Sequence, residues 1–261
     1  MDEKFVMEFL RGCMAEFYKI TEYEPLSVNV CITDDLYEKR LELAYDESDR
    51  QNVKNIKEFI KDLNGTIAFG KKVNDSHTII ISNEMLKSEN FNIVSTFIHE
   101  LTHIHDYMNF ANERNCVYTK DIEYIKEFRG FYFWTEFHAR RNGYNFYREL
   151  FLKANNTIDD LELQINHINN IELPLHLNRL LKNNTDEANI QMYYVVQFLG
   201  RYSVWMDLFP EYFKEIPPEL YNVYGDKIIN LYKFLYNHKN FLDANDKFEE
   251  LYDLTMDCTI K

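Results

Sequence analysis

Glycine and proline are scarce in this chain, seven and five among 261 residues. So few breakers exclude a loop-rich chain and point to helices joined by short connections. Cysteine is scarce as well. Cys13, Cys31, Cys116 and Cys258 lie far apart with no C-x-x-C pair. That spacing excludes a disulfide framework and predicts four reduced, mostly buried thiols. Positive charge is in deficit, with 29 Lys and Arg against 43 Asp and Glu and a formal net charge of −14. Nonspecific binding to nucleic acid or to an anionic membrane needs a basic surface, so neither partner is expected. No run of about 18 apolar residues exists, and no membrane-spanning helix is expected. The N-terminal stretch MDEKFVMEFLRGCMAEF is acidic where a secretory signal is basic. A cytoplasmic protein is the expectation, and oligomeric state has no signal.

Hydrophobic residues make up 46% and aromatic residues 16% of the chain, which rules out disorder and supplies a core. Residues 3–21 repeat their apolar positions with helical spacing, and Pro25 ends that segment. SVNVCIT (27–33) alternates like a strand, and TIAF (66–69) and HTIIIS (77–82) predict two more, joined by the charged loop GKKVNDS. Between them, residues 48–63 predict a helix ended by an Asn64-Gly65 turn. After Asn83 only helices are expected, over 90–110, 120–154, 157–169, 186–208, 217–237 and 243–256. Asn184-Thr185 and Pro217-Pro218 are start signals for two of them. Mixed structure followed by helices predicts an α+β fold with a helical C-terminal half, divided near Asn155-Asn156.

Chemistry concentrates in TFIHELTHIHDY (96–107), where His99, Glu100 and His103 form H-E-x-x-H. Four residues apart on a helix, the two imidazoles sit about 40° from one another and can converge on one ion. Glu100 falls on the flank of that face, within reach of a water on the ion without ligating it. Zinc suits the pattern: it takes imidazole nitrogens, keeps a position open and acidifies a bound water, whose proton a carboxylate can accept. Ile93, Val94, Phe97, Ile98 and Leu101 surround the trio, and polar groups so embedded are costly without a partner.

A third protein ligand must come from elsewhere. The metzincin continuation is absent, because Asp106 and Asn109 stand where it needs Gly and His. Glu113, Asp121, Glu123 and Glu127 lie in charged surroundings that suit solvated carboxylates. Glu136 differs, being set among Phe133, Trp134 and Phe137 in GFYFWTEFHARR (130–141). It is the favoured third ligand, with His138 and then Asp106 as alternatives, and a salt bridge to Arg140 is the competing structural role.

The combination resembles the gluzincin class of zinc metallopeptidases. HELTH preceded by Thr96, with E-F-H-A at 136–139 downstream, is similar to the compact intracellular ImmA/IrrE-type metallopeptidases. The likeness covers residues 77–140, about a quarter of the chain. It departs from the pattern at Thr102, where glycine is usual, and in the long helical tail. The resemblance implies a zincin-like part over 1–155, with a helical lobe over 156–261. It also implies one zinc ion held by His99, His103 and Glu136, with Glu100 as base in hydrolysis of a protein or peptide. A zinc scaffold kept for regulation or partner binding is the alternative.

Neighbouring residues keep two readings each. Asp106, on the metal-facing side, is either an acceptor for the spare N–H of His103 or an exposed carboxylate at a helix end. Tyr132, one turn before Glu136, is either a donor to the oxyanion or a packed tyrosine. His105 and His138 point away from their motif faces and are expected to be structural. MYYVVQFLGRYSVWMDLF (192–209) predicts a buried helix or groove wall.

Overall fold

Three β-branched runs pair into one small sheet. The computed structural model describes residues 3–21, 23–72, 75–87, 92–114, 126–157, 159–182 and 188–259. After helix α1 (Glu3–Thr21) comes strand β1 (Val28–Thr33), then α2 (Leu36–Glu42), α3 (Glu47–Asn55) and α4 (Lys57–Lys61). Strands β2 (Gly65–Ala68) and β3 (His77–Ser82) follow, then α5 (Glu84–Lys87) and α6 (Asn92–Arg114). The order is β1-β3-β2, with β1 parallel to β3 from Val28↔His77 to Thr33↔Ser82 and β2 antiparallel to it. Ile79, Ile80 and Ile81 of the central strand are all fully buried, as a continuous apolar run requires when both faces are covered. Each such side chain contributes roughly 1.5–3 kcal/mol.

One face of the sheet packs on Leu36, Tyr37, Val53 and Ile60 of α2–α4. The predicted helix over 48–63 is two helices, because Ile56 leaves helical geometry at φ −110°, ψ 24°. Helix α2 was not expected from the sequence. Seven residues are too few for a period, and its start is fixed by Asp35, whose carboxylate accepts from the Glu38 N–H at 3.0 Å. A buried, bidentate Arg40–Asp49 pair at 2.9 and 2.7 Å ties α2 to α3.

The remaining described residues are helical, and no strand follows Asn83 among them. They form α7 (Lys126–Ala154), α8 (Leu161–His167), a π-helical turn (Ile168–Glu172), α9 (Leu173–Lys182) and α10 (Ala188–Leu208). Then come α11 (Pro218–Tyr224), α12 (Asp226–Asn237), α13 (Phe241–Ala244) and α14 (Phe248–Thr259). Pro218 opens α11 as its position predicts, and Gly225, at φ +59°, separates α11 from α12. Helix α9, which the sequence did not predict, carries Pro174 near its start. The π turn just before it widens the hydrogen-bond ladder, and Pro174 stands in the first turn of α9, where a missing N–H is tolerated. The Asn184-Thr185 signal, Cys116, Asp121 and Glu123 lie outside the described residues. So do the first residues of the helices predicted from 90, 120 and 186. Cys13 and Cys258 are buried free thiols, as expected.

By compactness the chain divides into Met1–Thr119 and Lys120–Lys261, rather than near 155, so α7 groups with the helical half. Within that half α7 packs along α10 and α14. A Cβ on Gly130 would stand 1.7 Å from the carbonyl oxygen of Phe248, and one on Gly200 would stand 2.5 Å from that of Phe137. Trp134 closes the interface, with its indole donating to the His238 carbonyl at 2.7 Å and its ring against Phe241 and Phe248. No helix among the described residues is long and apolar enough to cross a membrane.

Candidate metal centre

Helix α6 is buried on every side from Ile93 to Asp106. Ile98, Leu101 and Ile104 are fully buried around a motif whose own polar residues are only 5–8% exposed: His99 at 5%, Glu100 at 8% and His103 at 6%. Thr102, where glycine was the expectation, is fully buried and bonds its hydroxyl to the Ile98 carbonyl at 2.8 Å, so the helix itself satisfies the departure.

Gly65 decides how closely α6 approaches the sheet. It was read as a turn residue, yet it opens β2 with no left-handed backbone. A Cβ at this position would meet Thr96 Cγ2 at 2.7 Å and Glu100 Cγ at 3.5 Å. The glycine is therefore needed for close approach, and it seats the flank of α6 that carries Glu100.

The two imidazoles converge as the four-residue spacing predicts. Nε2 of His99 and Nε2 of His103 face each other at 3.0 Å, with the rings nearly perpendicular. Two nitrogens bound to one tetrahedral ion, each about 2.0–2.1 Å away, lie about 3.3 Å apart, so the observed spacing suits a shared cation. His99, His103 and Glu136, all buried, each offer one ligand atom, and these atoms all lie within 4.8 Å of one another. Two imidazoles and a carboxylate are a donor set that divalent transition metals accept. The group can hold a metal ion.

Glu136 is positioned by a residue that sequence reasoning missed. Gln197 of α10 donates from Nε2 to Glu136 Oε2 at 2.8 Å and accepts from Arg140 Nη2 at 2.9 Å. A glutamine thus contacts both residues of the competing salt bridge and orients the carboxylate. Its one sequence signal is a lone amide inside the apolar run YYVVQFLG. That run is a buried helix, as the sequence predicts.

Other candidates have different neighbours. The His138 ring stacks on Trp134 with centroids 4.7 Å apart and its Nε2 meets the Asn142 amide at 3.1 Å, so it is held by packing on α7. His105 stacks on Tyr23 at 4.5 Å and bonds the Tyr18 hydroxyl at 3.4 Å. Asp106 is fully buried within a helix that continues to Arg114, which removes the reading of it as an exposed helix-end carboxylate. Burial first, and then the charge of Asp106, push the Tyr23 hydroxyl above its usual range. Tyr132 is half-buried one turn before Glu136, with its ring against Phe133. No protein-family model, curated protein or solved structure matches the chain.

Proposed function

We propose that this protein is a zinc-dependent peptidase in which His99, His103 and Glu136 hold one ion and Glu100 is the general base. The observation that carries this reading is the buried convergence of those three donors beside a glutamate that a structural site would not need. When bound, zinc would supply an acidified water and a Lewis acid for the substrate carbonyl. Glu100, seated against β2, would take the water's proton as its oxygen adds to the carbonyl carbon. Glu100 would then give that proton to the leaving nitrogen as the C–N bond breaks, yielding an acid and an amine. Gln197 would keep the Glu136 carboxylate oriented, and Tyr132 is the candidate donor to the oxyanion.

Metal content by mass spectrometry and hydrolysis of a quenched-fluorescence peptide library test this together. Glu136→Ala should lose the metal. Glu100→Gln should keep it and lose turnover by about 100-fold or more, the scale of a general base. Equal turnover in wild type and Glu100→Gln would leave a metal-binding scaffold in place of an enzyme.

A further inference from the structure

Strand β1 is an edge of the sheet, since the order is β1-β3-β2. Its register and two flanking hydrogen bonds fix which way its backbone points. The His77 N–H donates to the Ser27 carbonyl at 3.3 Å, and the Asn83 N–H donates to the Thr33 carbonyl at 2.7 Å. Bonding residues alternate along a parallel pair, so Asn29, Cys31 and Thr33 direct their backbone groups at β3. Val28, Val30 and Ile32 direct theirs outward. Among the described residues those outward N–H and C=O groups meet only the Cys31 thiol, 3.8 Å from the Ile32 carbonyl.

The side chains of the same three residues lie on one face of the sheet with their partners His77, Ile79 and Ile81. The partners are buried, whereas Val28, Val30 and Ile32 are only half-buried. The apolar face thus runs out to the edge under partial cover. Nothing in VNVCIT guards that edge. It holds no lysine and no proline, and its six residues pair one to one with His77–Ser82, without a bulge. Those are the devices that normally keep an edge from accepting another strand.

Charge selects what this edge would accept. From Thr21 to Glu38 the chain carries Glu22, Glu24, Asp34, Asp35 and Glu38 and no lysine or arginine. Glu24, Asp34, Asp35 and Glu38 are exposed on either side of β1 in the chain. Lys39, the next cation, already bonds Glu42 at 2.9 Å. A second copy laid antiparallel on the edge would bring Glu24 of one copy towards Asp34 and Asp35 of the other. Two chains of net charge −14 also repel.

We propose that the open edge of β1 binds an extended segment of a partner protein, one that alternates apolar residues and carries lysine or arginine at its ends. The segment adds a fourth strand to the sheet. Main-chain bonds to Val28, Val30 and Ile32 hold it, its apolar side chains extend the half-covered face, and its cations meet the acidic flanks. This surface goes beyond the peptidase reading and does not depend on it.

Fluorescence anisotropy tests it, with the full chain carrying Glu100→Gln so that no probe is cleaved. Three labelled peptides share the core Thr-Val-Thr-Val-Thr. One has two lysines at each end, one has two glutamates at each end, and one is lysine-flanked with every core amide N-methylated. At low ionic strength the lysine peptide should bind at least about 10-fold tighter than the glutamate peptide, with the gap narrowing in salt. The N-methylated peptide should not bind, and the lysine peptide should slow hydrogen exchange over residues 28–33. Val30→Pro removes one outward N–H and leaves the β1–β3 ladder untouched, so it should abolish binding. If that variant fails to fold, Glu24→Lys, at an exposed position, should shrink the lysine–glutamate gap several-fold. Equal or reversed preference, binding of the N-methylated peptide, no binding of any, or binding that survives Val30→Pro in a folded chain overturns the proposal. A dimer of the chain that Val30→Pro dissolves would assign the edge to a second copy and overturn it as well. Absence of zinc or of peptide hydrolysis changes none of these outcomes, so the two readings fail separately.

Discussion

Helix α6 lies against a sheet and α7 against two helices, and the glycines that seat them touch different things. On the sheet side, a Cβ at Gly65 would strike the Thr96 methyl at 2.7 Å. On the helical side, a Cβ at Gly130 would strike the Phe248 carbonyl oxygen at 1.7 Å. A side chain can be trimmed to make room, whereas a backbone carbonyl inside a packed helix pair cannot. The histidine pair therefore rests on a contact that a second mutation can repair. The glutamate's helix rests on one that no side-chain change relieves.

That difference can be broken in four places. Gly130→Ala should have the largest effect, about 3 kcal/mol or more of lost stability, read from the urea midpoint by circular dichroism. Gln197→Ala comes next. It should weaken metal binding by about 10- to 100-fold, measured with a chelator series, because Glu136 loses the donor that orients it. Retained affinity would mean that α7 alone positions the carboxylate. Gly65→Ala should cost about 1–2 kcal/mol, and Gly65→Ala with Thr96→Ser should recover much of it, since serine lacks the methyl that clashes. Failure of the second change to rescue would place the strain on Ile80 or Glu100 instead.

The smallest effect concerns acid. The folded chain holds His176 neutral down to about 2, while an unfolded chain protonates it near 6.5. Between those values the unfolded state binds the additional proton, so this contribution is complete above about pH 6.5 and declines as pH falls. Denaturation at pH 7 and pH 5 should show wild type losing more stability than His176→Gln across that interval. An equal loss would mean that burial, with the charges of Arg201, Arg140 and Arg179, does not keep this ring neutral.

Much of the fold could be read from local pattern. HTIIIS is β3 residue for residue, and the helical content after Asn83 follows from the shortage of glycine and proline. Short helices escaped because α2 has too few residues to establish a period. The segment through Pro174 escaped because a proline reads as a break unless a π turn precedes it. In the site, Glu136 stood out as a carboxylate among aromatic residues, but Gln197, 61 residues away, gave only the faint signal of an amide in an apolar run.

The sequence by itself determined that His99 and His103 share one helical face with Glu100 on its flank, because a helix repeats every 3.6 residues and needs no partner to do so. Only the tertiary structure decided that Glu136, rather than His138 or Asp106, joins the two histidines. It also decided that Gly65 is a point of close contact rather than a turn. Both depend on which surfaces meet, and residues far apart in the chain meet only after long-range packing has fixed the distances between helices and sheet.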